Sequence, residues 1–188
     1  MADFEPTAPQ FDDELGKALS PKNFTADGDC MFAKGASIGE YEVLSRLGSS
    51  GLGELYLVRS VVSRKRFALK VLPPEISANP NFPKRFERLW ARICLRLHPH
   101  IVHAKMLACH KDIFDYYYFV FEYLESPLGR PQTLQDILKE SGKLSEGRTL
   151  KIILQICEAL DYAHTCKDGG FSHSDLKPSN ILFDASNM

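Results

Sequence analysis

Long apolar runs are missing from this 188-residue chain: the longest, Tyr116 to Phe121, covers six residues, against roughly 18 or more for a helix that crosses a bilayer. The sequence therefore predicts no membrane segment. Its N-terminus lacks the basic start and following apolar stretch of a secretory signal peptide. Cysteine is sparse and without pattern. Cys30, Cys94, Cys109, Cys157 and Cys166 are odd in number and contain no Cys-x-x-Cys pair, which argues against a disulfide framework and fits a reducing cytoplasm. A large charge excess is also lacking. A net charge of −1 gives no support for a nucleic-acid surface. His98, His100, His103, Cys109 and His110 lie close together in sequence, but their spacing matches no zinc pattern and Pro99 interrupts it.

The composition that remains, 44% hydrophobic and 25% charged, is ordinary for a globular protein. The charge is unevenly placed: residues 1–30 hold seven acids and two bases, while the remainder holds seventeen and twenty-one. Pro6, Pro9, Pro21 and the cluster Asp12-Asp13-Glu14, among few apolar residues, make 1–34 read as an acidic, mostly disordered arm. Within it only Leu15, Ala18 and Leu19 fall at helical spacing.

From Tyr41 the pattern turns alternating and β-rich. Tyr41–Leu47, Glu54–Val58 and Arg66–Leu72 predict an antiparallel meander, with a Gly/Ser turn between the first two strands. Pro73-Pro74 ends it. Phe86, Leu89, Trp90, Ile93 and Leu97 form one stripe of a helix over 81–97, with Arg85, Arg88, Arg92 and Arg96 on another face. Val102–Leu107 and Tyr116–Tyr123 bring the sheet to five strands. After the connection carrying Pro127, Gly129 and Pro131, a short helix is expected over Thr133–Ser141. A longer one, capped by Ser145, runs to His164 and is apolar nearly all round, so it wants neighbours on most sides.

The densest chemistry stands near the end, in His173-Ser174-Asp175-Leu176-Lys177-Pro178-Ser179-Asn180. Pro178 lacks a backbone donor and biases Lys177 out of the helical region, which makes the segment an extended, pinned loop. Asp175 can accept a proton from a hydroxyl, Lys177 can neutralise charge on a transferring phosphoryl group, and Asn180 can offer an oxygen to Mg²⁺. This loop resembles the catalytic loop of the protein kinases, His-Arg-Asp-Leu-x-x-x-Asn, with Ser174 in place of the Arg. Asp-Leu-Lys-Pro-x-Asn is similar to the serine/threonine branch, of bacterial-like type.

Further motifs follow the family's order. Leu47-Gly48-Ser49-Ser50-Gly51-Leu52-Gly53-Glu54-Leu55 resembles the Gly-rich loop that closes over nucleotide phosphates, with Ser50 replacing the middle glycine. Ala68-Leu69-Lys70 resembles Val-Ala-Ile-Lys. The resemblance implies that Ala68 lines the adenine site with Leu47 and Leu55, that Lys70 grips the phosphates, and that Phe121 is a gatekeeper. It also implies that Glu122 and Leu124 offer their backbone to the adenine edge. The whole is expected to be an α+β, kinase-like chain. Its N-lobe over 35–124 would hold a five-stranded antiparallel sheet and helix C, and the start of a helical C-lobe would occupy 125–188, cut short before the Asp-Phe-Gly motif that carries the second Mg²⁺ ligand.

The implied activity is transfer from ATP, with Mg²⁺, to a Ser or Thr hydroxyl of a protein substrate, with Asp175, Lys177 and Asn180 catalytic. Oligomeric state is left open. An alternative is a pseudokinase acting as a nucleotide-binding or scaffolding module. Ser174 and Ser50 favour it, as does Leu89, which stands where the family has the helix C glutamate; Glu87 is two residues away, about 200° round a helix.

Overall fold

The computed structural model describes residues 30–50, 53–73, 98–111, 115–166, 170 and 172–185. The predicted helix over 81–97 with Leu89 and Glu87, the arm up to Asp29, and Gly51 and Leu52 of the Gly/Ser turn lie outside the described residues.

The alternating stretches form strands β2 (Tyr41–Ser50), β3 (Gly53–Ser60), β4 (Arg66–Val71), β5 (Ala104–Lys111) and β6 (Asp115–Glu122). A two-residue strand, β1 (Ser37–Ile38), joins the edge, so the sheet has six strands where five were expected, in the order β1-β2-β3-β4-β6-β5 with every pair antiparallel. Because side chains alternate along a strand, one face collects Val43, Tyr56, Val58, Leu69, Val71, Tyr118 and Val120 into a core. The other face takes the intervening residues. On β4 these are Ala68 and Lys70, which stand opposite Leu57 and Leu55 of β3 and opposite Phe121 and Phe119 of β6. Two register shifts in β2, between Val43 and Ser45 and between Arg46 and Gly48, add twist where the sheet approaches the Gly/Ser turn.

An apolar sheet face must be covered, and part of the cover comes from residues on both sides of position 34. Phe32, Ala36 and Ile38 pack on the core face. The Phe32 ring lies 5.9 Å from Tyr56 and 5.3 Å from Tyr116. The folded unit therefore reaches back to at least Met31.

The C-terminal part begins with β7 (Gln132–Thr133) and α1 (Leu134–Ser141). Thr133 caps α1 through a complete capping box with Asp136, and Gly142, at φ 71°, ends it. Helix α2 (Glu146–Thr165) is capped by Ser145 as expected. After the loop, a single 3-10 turn (Pro178–Asn180) leads into β8 (Leu182–Phe183), which pairs with β7. Ile137, Ile152 and Phe183 form a small core here. Leu150, Ile153 and Leu154 of α2 are at least half exposed. The two parts touch where His98 stacks on Tyr162 at 4.9 Å and His100 Nε2 comes within 3.4 Å of the Glu158 carboxylate.

Candidate active site

Three of the predicted residues meet on the loop before the 3-10 turn. Lys177 Nζ donates to both carboxylate oxygens of Asp175, at 3.0 and 2.8 Å. Asn180 Nδ2 donates to the Asp175 carbonyl at 2.7 Å and approaches Oδ2 at 3.4 Å. The backbone explains the convergence. Ser174 adopts φ 58° and the Asp175 N–H donates to the His173 carbonyl at 2.8 Å, reversing the chain just before the carboxylate. Lys177 is extended, at φ −159°, as the following proline demands. Pro178 opens the 3-10 turn, the Asn180 N–H closes it on the Lys177 carbonyl, and β8 anchors its far end. A left-handed non-glycine residue costs about 1 kcal/mol or more, so Ser174 is strained locally to aim Asp175.

Lys70 is 5% exposed on the sheet face away from the core. Desolvation pulls its ammonium from the ordinary lysine value of 10.5 to about 8, because burial without an opposite charge disfavours the cation. Among the described residues no carboxylate meets it, and no hydrogen bond or ion pair joins it to the Asp175 cluster. Cross-strand partners share a face, so Leu55 and Ala68 line the same side as Lys70.

The β2–β3 ladder runs up to the Ser49–Glu54 and Ser50–Gly53 pairs, with Leu47 and Gly48 in β2. Gly53 has φ 114°, and a Cβ on it would stand 1.9 Å from the Val71 carbonyl oxygen; only glycine fits. Glu122 ends β6. Its N–H donates to the His103 carbonyl and its carboxylate accepts the His103 N–H at 2.6 Å, so both groups serve the sheet. Leu124 lies in the irregular segment Tyr123–Ser126. Arg66 braces that segment, stacked 5.6 Å over the Tyr123 ring and paired with Glu125.

Sequence reasoning missed Arg66, Glu54 and Phe32. Glu54 is 8% exposed and its carboxylate gathers three groups: Arg46 Nη2 at 2.8 Å, the Met31 N–H at 2.7 Å and the Tyr56 hydroxyl. The pairing of Glu54 with Arg46 carries a weak sequence signal, opposite charges flanking a turn. Burial and the carboxylate beside it push the Tyr56 phenol well above the ordinary tyrosine range.

A model of the protein kinase domain matches residues 41–188. The chain belongs to the protein kinase family. It is 33% identical over 161 residues to the serine/threonine-protein kinase PknD of Mycobacterium tuberculosis, covering 85% of this chain and 22% of that one. To PrkC of Bacillus subtilis, also a serine/threonine-protein kinase, it is 32% identical over 146 residues, with 78% and 21% covered. Among solved structures it is similar to the kinase domain of PknI from Mycobacterium tuberculosis, with a TM-score of 0.65, 29% identity, and coverage of 81% of this chain and 58% of that one. The chain thus spans about a fifth of the length of the curated kinases it matches. Among the described residues no helix is long and apolar enough to cross a membrane.

Proposed function

We propose that residues 35–124 are the N-lobe, and 125–188 the opening part of the C-lobe, of a serine/threonine protein kinase that transfers the γ-phosphoryl group of ATP to a protein Ser or Thr hydroxyl. The observation that carries this reading is the Asp175–Lys177–Asn180 cluster: a carboxylate held between an ammonium and a carboxamide, on a loop pinned by proline and a strand pair. Asp175 orients the attacking hydroxyl and takes its proton, and Lys177 neutralises charge gathering on the phosphoryl oxygens.

The residues present fit Mg-ATP. The Asn180 amide turns Nδ2 toward Asp175, so its other atom, Oδ1, is the hard oxygen that Mg²⁺ takes. Lys70 brings a desolvated cation for the α- and β-phosphates. Leu47, Gly48, Ser49, Ser50, Gly53, Leu55 and Ala68 enclose the nucleotide, with Glu122 and Leu124 at its adenine edge; Gly51 and Leu52 complete the Gly-rich loop outside the described residues. Bound Mg-ATP supplies the transferred group. The scattered, unpaired cysteine pattern supports a cytoplasmic location.

Titration with a fluorescent ATP analogue and Mg²⁺ tests nucleotide binding; Lys70→Met should weaken it at least tenfold. Transfer is tested in a polypeptide continued to the full length of the matched kinase domain, of which the chain covers 58%. Asp175→Asn should abolish transfer there while sparing nucleotide affinity, and transfer that survives Asp175→Asn refutes the assignment. Ser174, Ser50 and Leu89, which replace the family's Arg, Gly and Glu in sequence, favour a second reading, a pseudokinase that binds nucleotide without transfer. Nucleotide binding with no transfer by the completed domain would select it.

A further inference from the structure

Residues 31–38 form a strap over the core face of the sheet, and its contacts concentrate beside the Gly-rich turn. The Met31 N–H donates to Glu54 Oε2 at 2.7 Å and the Phe32 N–H to the Tyr56 hydroxyl at 3.0 Å. That hydroxyl in turn donates to Glu54 Oε2. The other carboxylate oxygen of Glu54 is paired with Arg46 at 2.8 Å. Arg46 is the residue before Leu47 and Glu54 the residue after Gly53, so the ion pair joins the two strands on either side of the turn. Below it the Phe32 ring is wedged between Tyr56 and Tyr116. Further along, the Gly35 N–H donates to the Val43 carbonyl and the Val43 N–H to the Ala36 carbonyl, both at 2.8 Å.

We infer that Glu54 is a positioning residue that couples the strap to the Gly-rich turn: while residues 31–38 are seated, the Met31 N–H directly, and the Phe32 N–H through the Tyr56 hydroxyl, hold Glu54 against Arg46 and keep the two flanking strands in register. A carboxylate with a backbone N–H, a phenol and a guanidinium around it has a single preferred orientation, and charge-assisted hydrogen bonds of this kind are stronger than neutral ones. Release of the strap takes the Met31 N–H from Glu54, leaving it Arg46 and the Tyr56 hydroxyl, and uncovers the Tyr56 ring. The β2–β3 ladder then loosens where the two register shifts already weaken it. The nucleotide consequence rests on the kinase reading above; the coupling itself does not.

The experiment uses the whole 188-residue chain with Phe32→Ala, Glu54→Gln and Tyr56→Phe, the last removing only the hydroxyl. Hydrogen exchange is followed at the amides of Gly35 and Val43, which report the strap, at residues 46–49 and 53–56, which report the turn's flanks, and at 146–165, which report the rest of the fold. Each variant is expected to speed exchange at the flanks while leaving 146–165 unchanged. Each is also expected to weaken binding of a fluorescent ATP analogue with Mg²⁺ by roughly three- to tenfold, the scale of one or two lost hydrogen bonds.

Faster exchange at Gly35 and Val43 with unchanged flanks would overturn the inference, since the strap would then be a cover and nothing more. So would unchanged affinity in all three variants where Lys70→Met does weaken binding. If neither the wild type nor Lys70→Met binds nucleotide, the kinase reading fails, and exchange at the flanks alone decides the coupling.

Discussion

The sheet and the helical part of this chain bury their apolar residues to very different degrees. Tyr56, Val58, Leu69, Val71 and Val120 are 0% exposed. Among the described residues of the helical part, Ile137, Ile152 and Phe183 form a small core and Ala163 is also buried, while Leu150 is 57%, Ile153 50% and Leu154 62% exposed. The difference follows from how each part finds its partners. Antiparallel strands meet across short connections, and a strap from the adjoining chain covers the face they share. A long helix that is apolar nearly all round can be covered only by other elements, and among the described residues its buried positions are Ile152 and Ala163.

This contrast can be broken or sharpened by substitution, most strongly in the sheet. Leu69→Ala removes a fully buried side chain from a closed core and should cost about 3 kcal/mol, a large shift of the urea unfolding transition to lower concentration. Leu154→Ala should shift that transition by less than about 0.5 kcal/mol. Equal shifts would mean that the two parts are equally packed.

Lys70 is the polar exception within the buried sheet. Its folded pKa of about 8 lies below the ordinary 10.5. The unfolded chain therefore holds the proton over a window in which the folded chain has released it, and stability rises with pH between about 8 and 10.5. Below pH 8 the burial penalty is fully present. Lys70→Met should stabilise the nucleotide-free chain at pH 7 by on the order of 2–3 kcal/mol and flatten that rise, as urea melts across pH 7–10.5 would record. A flat wild-type profile would contradict the desolvated ammonium.

In the helical part, Thr133→Ala breaks the capping box at the β7–α1 junction and should cost about 1 kcal/mol. Asp136→Asn should cost less, because the Thr133 hydroxyl still accepts from the residue 136 N–H. The smallest stability effect belongs to the exposed face of α2. Ile153→Lys and Leu154→Lys together should change the urea midpoint by less than about 0.5 kcal/mol yet reduce concentration-dependent light scattering, since they break up an exposed apolar patch. Unchanged scattering would show that this face does not drive association.

The features legible in the sequence are those written in local chemistry. Alternation marked β2, β3 and β4, and a run of aromatic and β-branched residues marked β6; Ser145 marked the start of α2; and Pro178 with its neighbours marked the pinned loop that brings Asp175, Lys177 and Asn180 together. Each depends on residues a few positions apart, whose backbone preferences and hydrogen bonds act before any distant contact forms. The seating of Phe32 between Tyr56 and Tyr116, the pairing of β7 with β8, the use of the Glu122 carboxylate by His103, and the bracing of Tyr123 and Glu125 by Arg66 were decided only by the tertiary structure. These contacts join residues 19 to 84 positions apart in the chain, and no local periodicity or turn preference encodes them. They form because a sheet face must be covered and a buried carboxylate must be paired, and which groups meet those demands depends on where the folded backbone places them.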